Sequence, residues 1–144
     1  MQAMKSTQVF NGNFGEVWVD DYYVAEATAV EAKLGFDKQE VSQAGKPGKG
    51  YKIVGTDGKG SIKMNKCTSY FQTKLLDAVQ QGKTPSSTIV VKVDDPDAVG
   101  TERVQLNGVV FDELPLTSWE VKKLAEETLP FTFETATLLD TANE

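Results

Sequence analysis

Apolar and polar residues alternate at period two along much of this chain, the mark of strands buried on one face. Val17 and Val19 alternate with Glu16 and Trp18, and Asp20-Asp21 reads as a turn before Tyr22. Residues 22–40 carry two signals. Ala25, Ala27, Ala29 and Ala32 favour helix by propensity. Val30, Ala32, Leu34 and Phe36, however, alternate with Glu31, Lys33, Gly35 and Asp37, and this predicts a long strand. Residues 51–54 and 60–65 read as two further strands, with Thr56-Asp57-Gly58 as a turn between them. Strands are also predicted at 87–93, where Ile89, Val91 and Val93 share a side, and at 102–111, bent at Asn107-Gly108.

One segment is clearly helical. In residues 69–81, Phe71, Leu75, Ala78 and Val79 share a face, Ser69 stands at the N-cap, and Gly82 and Pro85 follow the end. Residues 119–133 read both ways. At period two the odd positions Trp119, Val121, Leu129, Phe131 and Phe133 form a mostly apolar side, interrupted by Lys123 and Glu127. At period 3.6, Val121, Leu124, Ala125, Thr128 and Leu129 form a stripe, and Thr117 and Glu120 have capping-box spacing.

Composition narrows the function more than the fold. A chain of 144 residues is expected to be a single domain, 1–144, able to bury a core without staples. Residues 1–13 read as a mobile arm, and 44–50, rich in Gly and Lys around Pro47, as a flexible loop. No apolar run reaches membrane-span length and the first residues lack a signal-peptide core, so no membrane partner is expected. Cys67 is the sole cysteine, which favours a reducing compartment. The net charge of −6 argues against ordinary nucleic-acid binding, which neutralises phosphates with Lys and Arg.

There is no histidine. That removes the commonest general base, the commonest metal ligand and every Ser-His or Cys-His arrangement. The remaining chemical motifs are near misses, so no catalytic residue, metal site or cofactor is expected. Residues 45–50 and 55–60 have the glycine spacing of a phosphate loop, but neither continues with Lys and Ser or Thr into a helix. Asp95, Asp97 and Gly100 fit positions one, three and six of a calcium loop, but Val99 stands at position five and Leu106 at position twelve, where Glu is required. Cys67 before the helix has no partnering base. Trp18, Tyr22, Tyr23, Phe36, Phe131 and Phe133 on predicted strands suit core or interface packing, or a binding face.

Several short segments, in order, resemble one family. They are Gly12-Asn13-Phe14-Gly15-Glu16-Val17-Trp18-Val19, Gly58-Lys59-Gly60-Ser61-Ile62, and Asp94-Asp95-Pro96-Asp97 followed by Gly100 and Glu102-Arg103. Then come Phe111-Asp112-Glu113-Leu114, Trp119-Glu120-Val121 and Leu129-Pro130-Phe131-Thr132-Phe133. The set resembles the tail tube proteins of PBSX-type prophages and of R-type contractile bacteriocins such as diffocins. The resemblance implies a mainly β, sandwich or barrel fold with one flanking α-helix. It further implies homohexameric rings stacked into a hollow tube, built in the bacterial cytoplasm and ending in a virion or tail-like particle. Sheath, baseplate and tape-measure proteins are the implied partners, and DNA would pass the lumen unbound if the particle carries a genome. On this reading residues 119–133 become one long strand, its odd face serving the core or a subunit interface. Lys46, Pro47, Gly48, Lys49 and Gly50 are expected to stack ring on ring, and Glu31, Lys33 and Asp37 to face the lumen. Two rival expectations stand beside it: a monomeric β-sandwich that binds a sugar or peptide through its aromatics, and a hydrolase working with paired carboxylates.

Overall fold

The computed structural model describes residues 5–142. After two single 3-10 turns, Ser6–Gln8 and Gly12–Phe14, the chain forms β1 (Gly15–Val19), β2 (Tyr22–Tyr23), β3 (Ala27–Val41) and β4 (Gly50–Asn65). There follow α1 (Tyr70–Gln80), β5 (Ser87–Val93), β6 (Glu102–Phe111), β7 (Glu126–Phe133) and β8 (Thr135–Asp140). All pairings are antiparallel, in the order β2-β1-β5-β6-β7-β4-β3, with β8 also beside β6.

β6 joins the two halves of the sheet. Its first part pairs with β5 and β8, and its last two residues, Val110 and Phe111, pair with β7. Two residues before Val110, Gly108 takes a φ of +65°, a conformation costly for any residue with a Cβ. This is the bend that Asn107-Gly108 predicts. The inward residues of both halves then share one core: Val17, Val19, Ile89 and Leu106 from one, Ile62, Leu129 and Phe131 from the other. Registers place Val19 opposite Ile89, Ile89 opposite Leu106, and Ile62 opposite Leu129, so the period-two faces meet inside.

α1 closes the core with Phe71 and Leu75. Tyr70 stacks on Tyr22 at 3.9 Å and Phe71 meets Phe111 edge-on at 5.7 Å. The helix ends in a Schellman motif, with Lys83 N–H donating to the Ala78 carbonyl and Gly82 N–H to that of Val79. At its start the Ser69 side chain makes no capping bond, contrary to expectation. Instead the Tyr70 N–H reaches Thr68 Oγ1 at 3.5 Å.

Other expectations are corrected. Residues 51–54 and 60–65 belong to one continuous strand, because β3 pairs along its whole length and holds Asp57 and Gly58 opposite Gly35 and Leu34. A register shift between Asp37 and Lys38 absorbs the irregularity as a bulge. The strand expected over 119–133 begins only at Glu126. Before it the chain turns at 120–123, with Lys123 N–H on the Glu120 carbonyl and Lys122 at a φ of +66°. Trp119 and Val121 are therefore not core residues; they are 79% and 74% exposed. Leu129, Phe131 and Phe133 are buried. β8 has no counterpart in the sequence reading. Of the expected N-terminal arm, residues 1–4 lie outside the described residues, and Asn11 N–H donates to the Asp95 carboxylate at 2.9 Å.

Asp20 and Asp21, both at positive φ, make the β1–β2 turn. The Asp20 carboxylate accepts bonds from Lys74 Nζ and, at 2.9 Å, from Thr88 N–H. Burial alone would raise its pKa. The bonds from Lys74 and Thr88 and the Lys74 charge outweigh burial and hold it below the usual value. A folded pKa below the unfolded one stabilises above the unfolded value and is lost as pH falls through the folded one. Urea midpoints measured at pH 7 and below pH 3 are thus expected to fall further for the unaltered protein than for Asp20→Asn. Equal falls would show that this carboxylate has no part in the acid limb.

Candidate assembly surfaces

β3 and β4 outreach the rest of the sheet. β4 pairs with β7 only over residues 58–65, so residues 50–57 and their partners on β3 stand beyond it as a two-stranded hairpin. Its tip, 42–49, holds Lys46, Pro47, Gly48 and Lys49, while Gly50 is the first residue of β4, opposite Val41. At the tip Lys46 N–H donates to the Gln43 carbonyl, and Lys49 lies 3.7 Å from the Glu40 carboxylate.

The two faces of this hairpin differ sharply. Glu31, Lys33 and Asp37 lie on one side, opposite Ser61, Lys59 and Gly55. Asp57, Lys63, Thr128 and Thr132 continue that side across β4 and β7. It is polar and of mixed sign. Lys33 lies 3.4 Å from Glu31, Lys59 3.5 Å from Asp57 and Lys63 3.6 Å from Glu126. The acidic excess of the whole chain is not concentrated there.

The opposite side continues the core. Val30 pairs with buried Ile62, and from it the alternation runs out through Ala32 and Leu34 to Phe36. Beyond the bulge Lys38 and Glu40 follow, facing Ile53 and Tyr51, and Lys38 Nζ lies 5.4 Å from the centre of the Tyr51 ring. No described residue covers this extension: Phe36 and Tyr51 are 58% and 62% exposed, and Ile53 and Val54 are also open. An apolar strip of this kind marks an interaction surface. Half of it was legible in the run from Val30 to Phe36. The other half, Tyr51 to Val54, was missed because those residues read only as a short strand, with nothing local to show that it would stand uncovered.

A second apolar surface lies on the helix side. Leu76 and Val79 of α1 face Val110, Leu114 and Leu116 across a groove of about 350 Å³. The chain from Pro115 to Ala125 is pinned at its ends. Gln72 Nε2 donates to the Pro115 carbonyl at 2.8 Å, and Lys66 N–H to that of Ala125 at 2.9 Å. Glu127, which breaks the apolar side of β7, is buried in the same place, 2.8 Å from Lys66 Nζ and 3.0 Å from Gln72 Nε2.

The near-miss motifs have the following places in the fold. Asp95 is buried and accepts from Asn11 and Asp97 N–H groups. Among the described residues no group of three or more acidic or thiol side chains is placed to hold a metal. The glycines of 55–60 lie within β4, and no helix opens from either glycine run. Cys67 is exposed between β4 and α1.

A family model described as "Phage tail tube protein" matches residues 2–140. The chain is 35% identical over 134 residues to the phage-like element PBSX protein XkdM of Bacillus subtilis (strain 168), covering 92% of this chain and 91% of that one. The fold matches a chain of the sheath-tube complex of an extracellular contractile injection system in its extended state, with TM-score 0.72 at 9% identity, over 96% of this chain and all of that one. It also matches a chain of the six-fold symmetrised baseplate of the anti-feeding prophage, with TM-score 0.62 at 8% identity, over 87% of this chain and 90% of that one.

Proposed function

Since the chain belongs to the phage tail tube protein family and is a structural subunit of such a tube, we propose that residues 1–144 form one subunit domain that closes into rings of six, which stack around a lumen. The observation that carries this reading is the two-faced β3–β4 hairpin, polar on one side and uncovered apolar on the other. A lone subunit leaves the apolar side in water, whereas an assembly buries it. The six-fold symmetry of the baseplate that holds one structural neighbour supports the ring number.

In this assembly Glu31, Lys33 and Asp37 line the lumen with the other polar residues of their face. A mixed-sign wall offers no continuous positive strip to hold phosphates, so DNA passes freely if the particle carries a genome. The hairpin tip, Lys46 to Gly50, reaches the next ring, and Trp119 and Val121 meet another chain rather than their own core. The role is one of assembly and not catalysis. Sheath, baseplate and tape-measure proteins are its partners in a particle put together in the bacterial cytoplasm, a reading supported by the neighbour found with its sheath.

Electron microscopy of the concentrated protein is the test: tubes of stacked six-fold rings are expected. A stable monomer at all concentrations would return the fold to a binding module. Deleting residues 46–49 is expected to leave a folded subunit, with unchanged thermal unfolding, that forms rings but only short stacks. Tubes of normal length from that variant would remove the tip from the stacking contact.

A further inference from the structure

The loop at 116–124 and the groove beside α1 are each incomplete in one copy and complementary in chemistry. Trp119, Val121 and Leu124 of the loop are 79%, 74% and 91% exposed. The groove is walled by Leu76, Val79, Pro85, Val110, Leu114 and Leu116 and stands open. Beyond Leu116, which is part of the wall, the loop does not line it. Its ends are held by Gln72 and Lys66, and the turn at 120–123 fixes its middle.

Charge points to the occupant. The groove's lining includes Asp112, Glu113 and Lys83. The loop carries Lys122 and Lys123 beside Glu120. Lys83, Asp112, Glu113 and Lys122 have no ion-pair partner among the described residues. A loop that sets Lys122 and Lys123 between apolar residues fits an apolar groove that carries Asp112 and Glu113, and both lie on the same chain.

We propose that the loop at 116–124 docks in the α1 groove of an adjacent copy of this chain. Trp119 and Leu124 enter among the leucines and valines, and Lys122 and Lys123 meet Asp112 and Glu113. The contact joins two unlike patches, so it repeats from copy to copy rather than closing on a pair. It rests on the tube-subunit reading and assigns one contact between its copies.

The experiment uses the full chain with Cys67→Ser. Chains carrying Val79→Cys are mixed with chains carrying Leu124→Cys, assembled, checked by electron microscopy and oxidised. Both positions are exposed, so neither change touches the core. A disulfide-linked dimer is expected from the mixture and from neither chain alone. Tubes that yield no mixed dimer, or a variant that cross-links to itself, would overturn the proposal while leaving the tube reading intact. If the unaltered chain forms no rings or tubes, the tube reading fails first and the proposal falls with it. As a second measurement, Asp112→Lys with Glu113→Lys is expected to raise the concentration needed for assembly by about ten-fold. Adding Lys122→Glu with Lys123→Glu is expected to restore it, and failure to restore it counts against the docking.

Discussion

Phe131→Ala is expected to cost about 3–5 kcal/mol of subunit stability, the range for deleting a buried aromatic ring. Phe131 is 1% exposed and sits where three strands meet. It pairs with Gly60 on β4 and with Phe111 on β6, at the point where β6 crosses from one half of the sheet to the other. Its ring lies 6.1 Å from that of Phe111, nearly edge-on, and 6.3 Å from that of Phe133. Alanine would leave a void bounded by backbone on one side, where little can collapse into it. Against a total of about 5–15 kcal/mol for an ordinary domain, the variant should be barely folded at 37 °C. Urea unfolding with a fluorescence readout checks this. Phe131→Leu, which fills part of the void, should lose distinctly less. A loss below about 1 kcal/mol for alanine would mean that the two halves of the sheet do not depend on this ring.

The second large effect comes from adding atoms. Gly58 and Gly60 lie on the inward face of β4, beneath the rings of Phe133 and Phe131. A Cβ on Gly60 would meet the Glu31 carbonyl oxygen of β3 and come to 2.6 Å from the Phe131 ring. Neither neighbour can yield cheaply: one is backbone in a paired strand, the other a ring packed on all sides. Gly60→Ala is therefore expected to destabilise by about 1–3 kcal/mol, and Gly60→Val by more. Because the strain falls between β3 and β4, hydrogen exchange of β3 amides should rise along with the fall in melting temperature. Gly48→Ala is the control, since nothing lies within 4 Å of that position. If Gly60→Ala melts with the unaltered protein, the close approach of β4 to its neighbours is wrong.

These two residues also show how far the sequence could be read. Both lie in segments that carry the family resemblance, Gly58-Lys59-Gly60 and Leu129-Pro130-Phe131, yet nothing in either segment names the other as its contact. The alternation from Val30 to Phe36 correctly separated Glu31, Lys33 and Asp37 from the apolar side. It could not reveal that the apolar side outruns its cover, because cover depends on where β7 ends. The turn signal Thr56-Asp57-Gly58 was locally sound and lost to the hydrogen bonds of β3. In 119–133 the odd positions kept their face from Glu127 to Phe133, while Trp119 and Val121 had no strand beside them and fell out of the sheet. Glu127, an apparent break in the pattern, is satisfied by Lys66 and Gln72, which no local pattern brings to it.

By itself, then, the sequence determined the period of each segment, the apolar and polar identity of its two faces, the single helix with its Gly82 stop, and the absence of histidine chemistry. Those properties are local, set by residues within a turn or a few positions of one another. Only the tertiary structure decided where each strand begins and ends, which strands pair, and which apolar faces remain open. A strand's hydrogen bonds and cover come from partners distant in the chain, and their reach, not the strand's own residues, sets its limits.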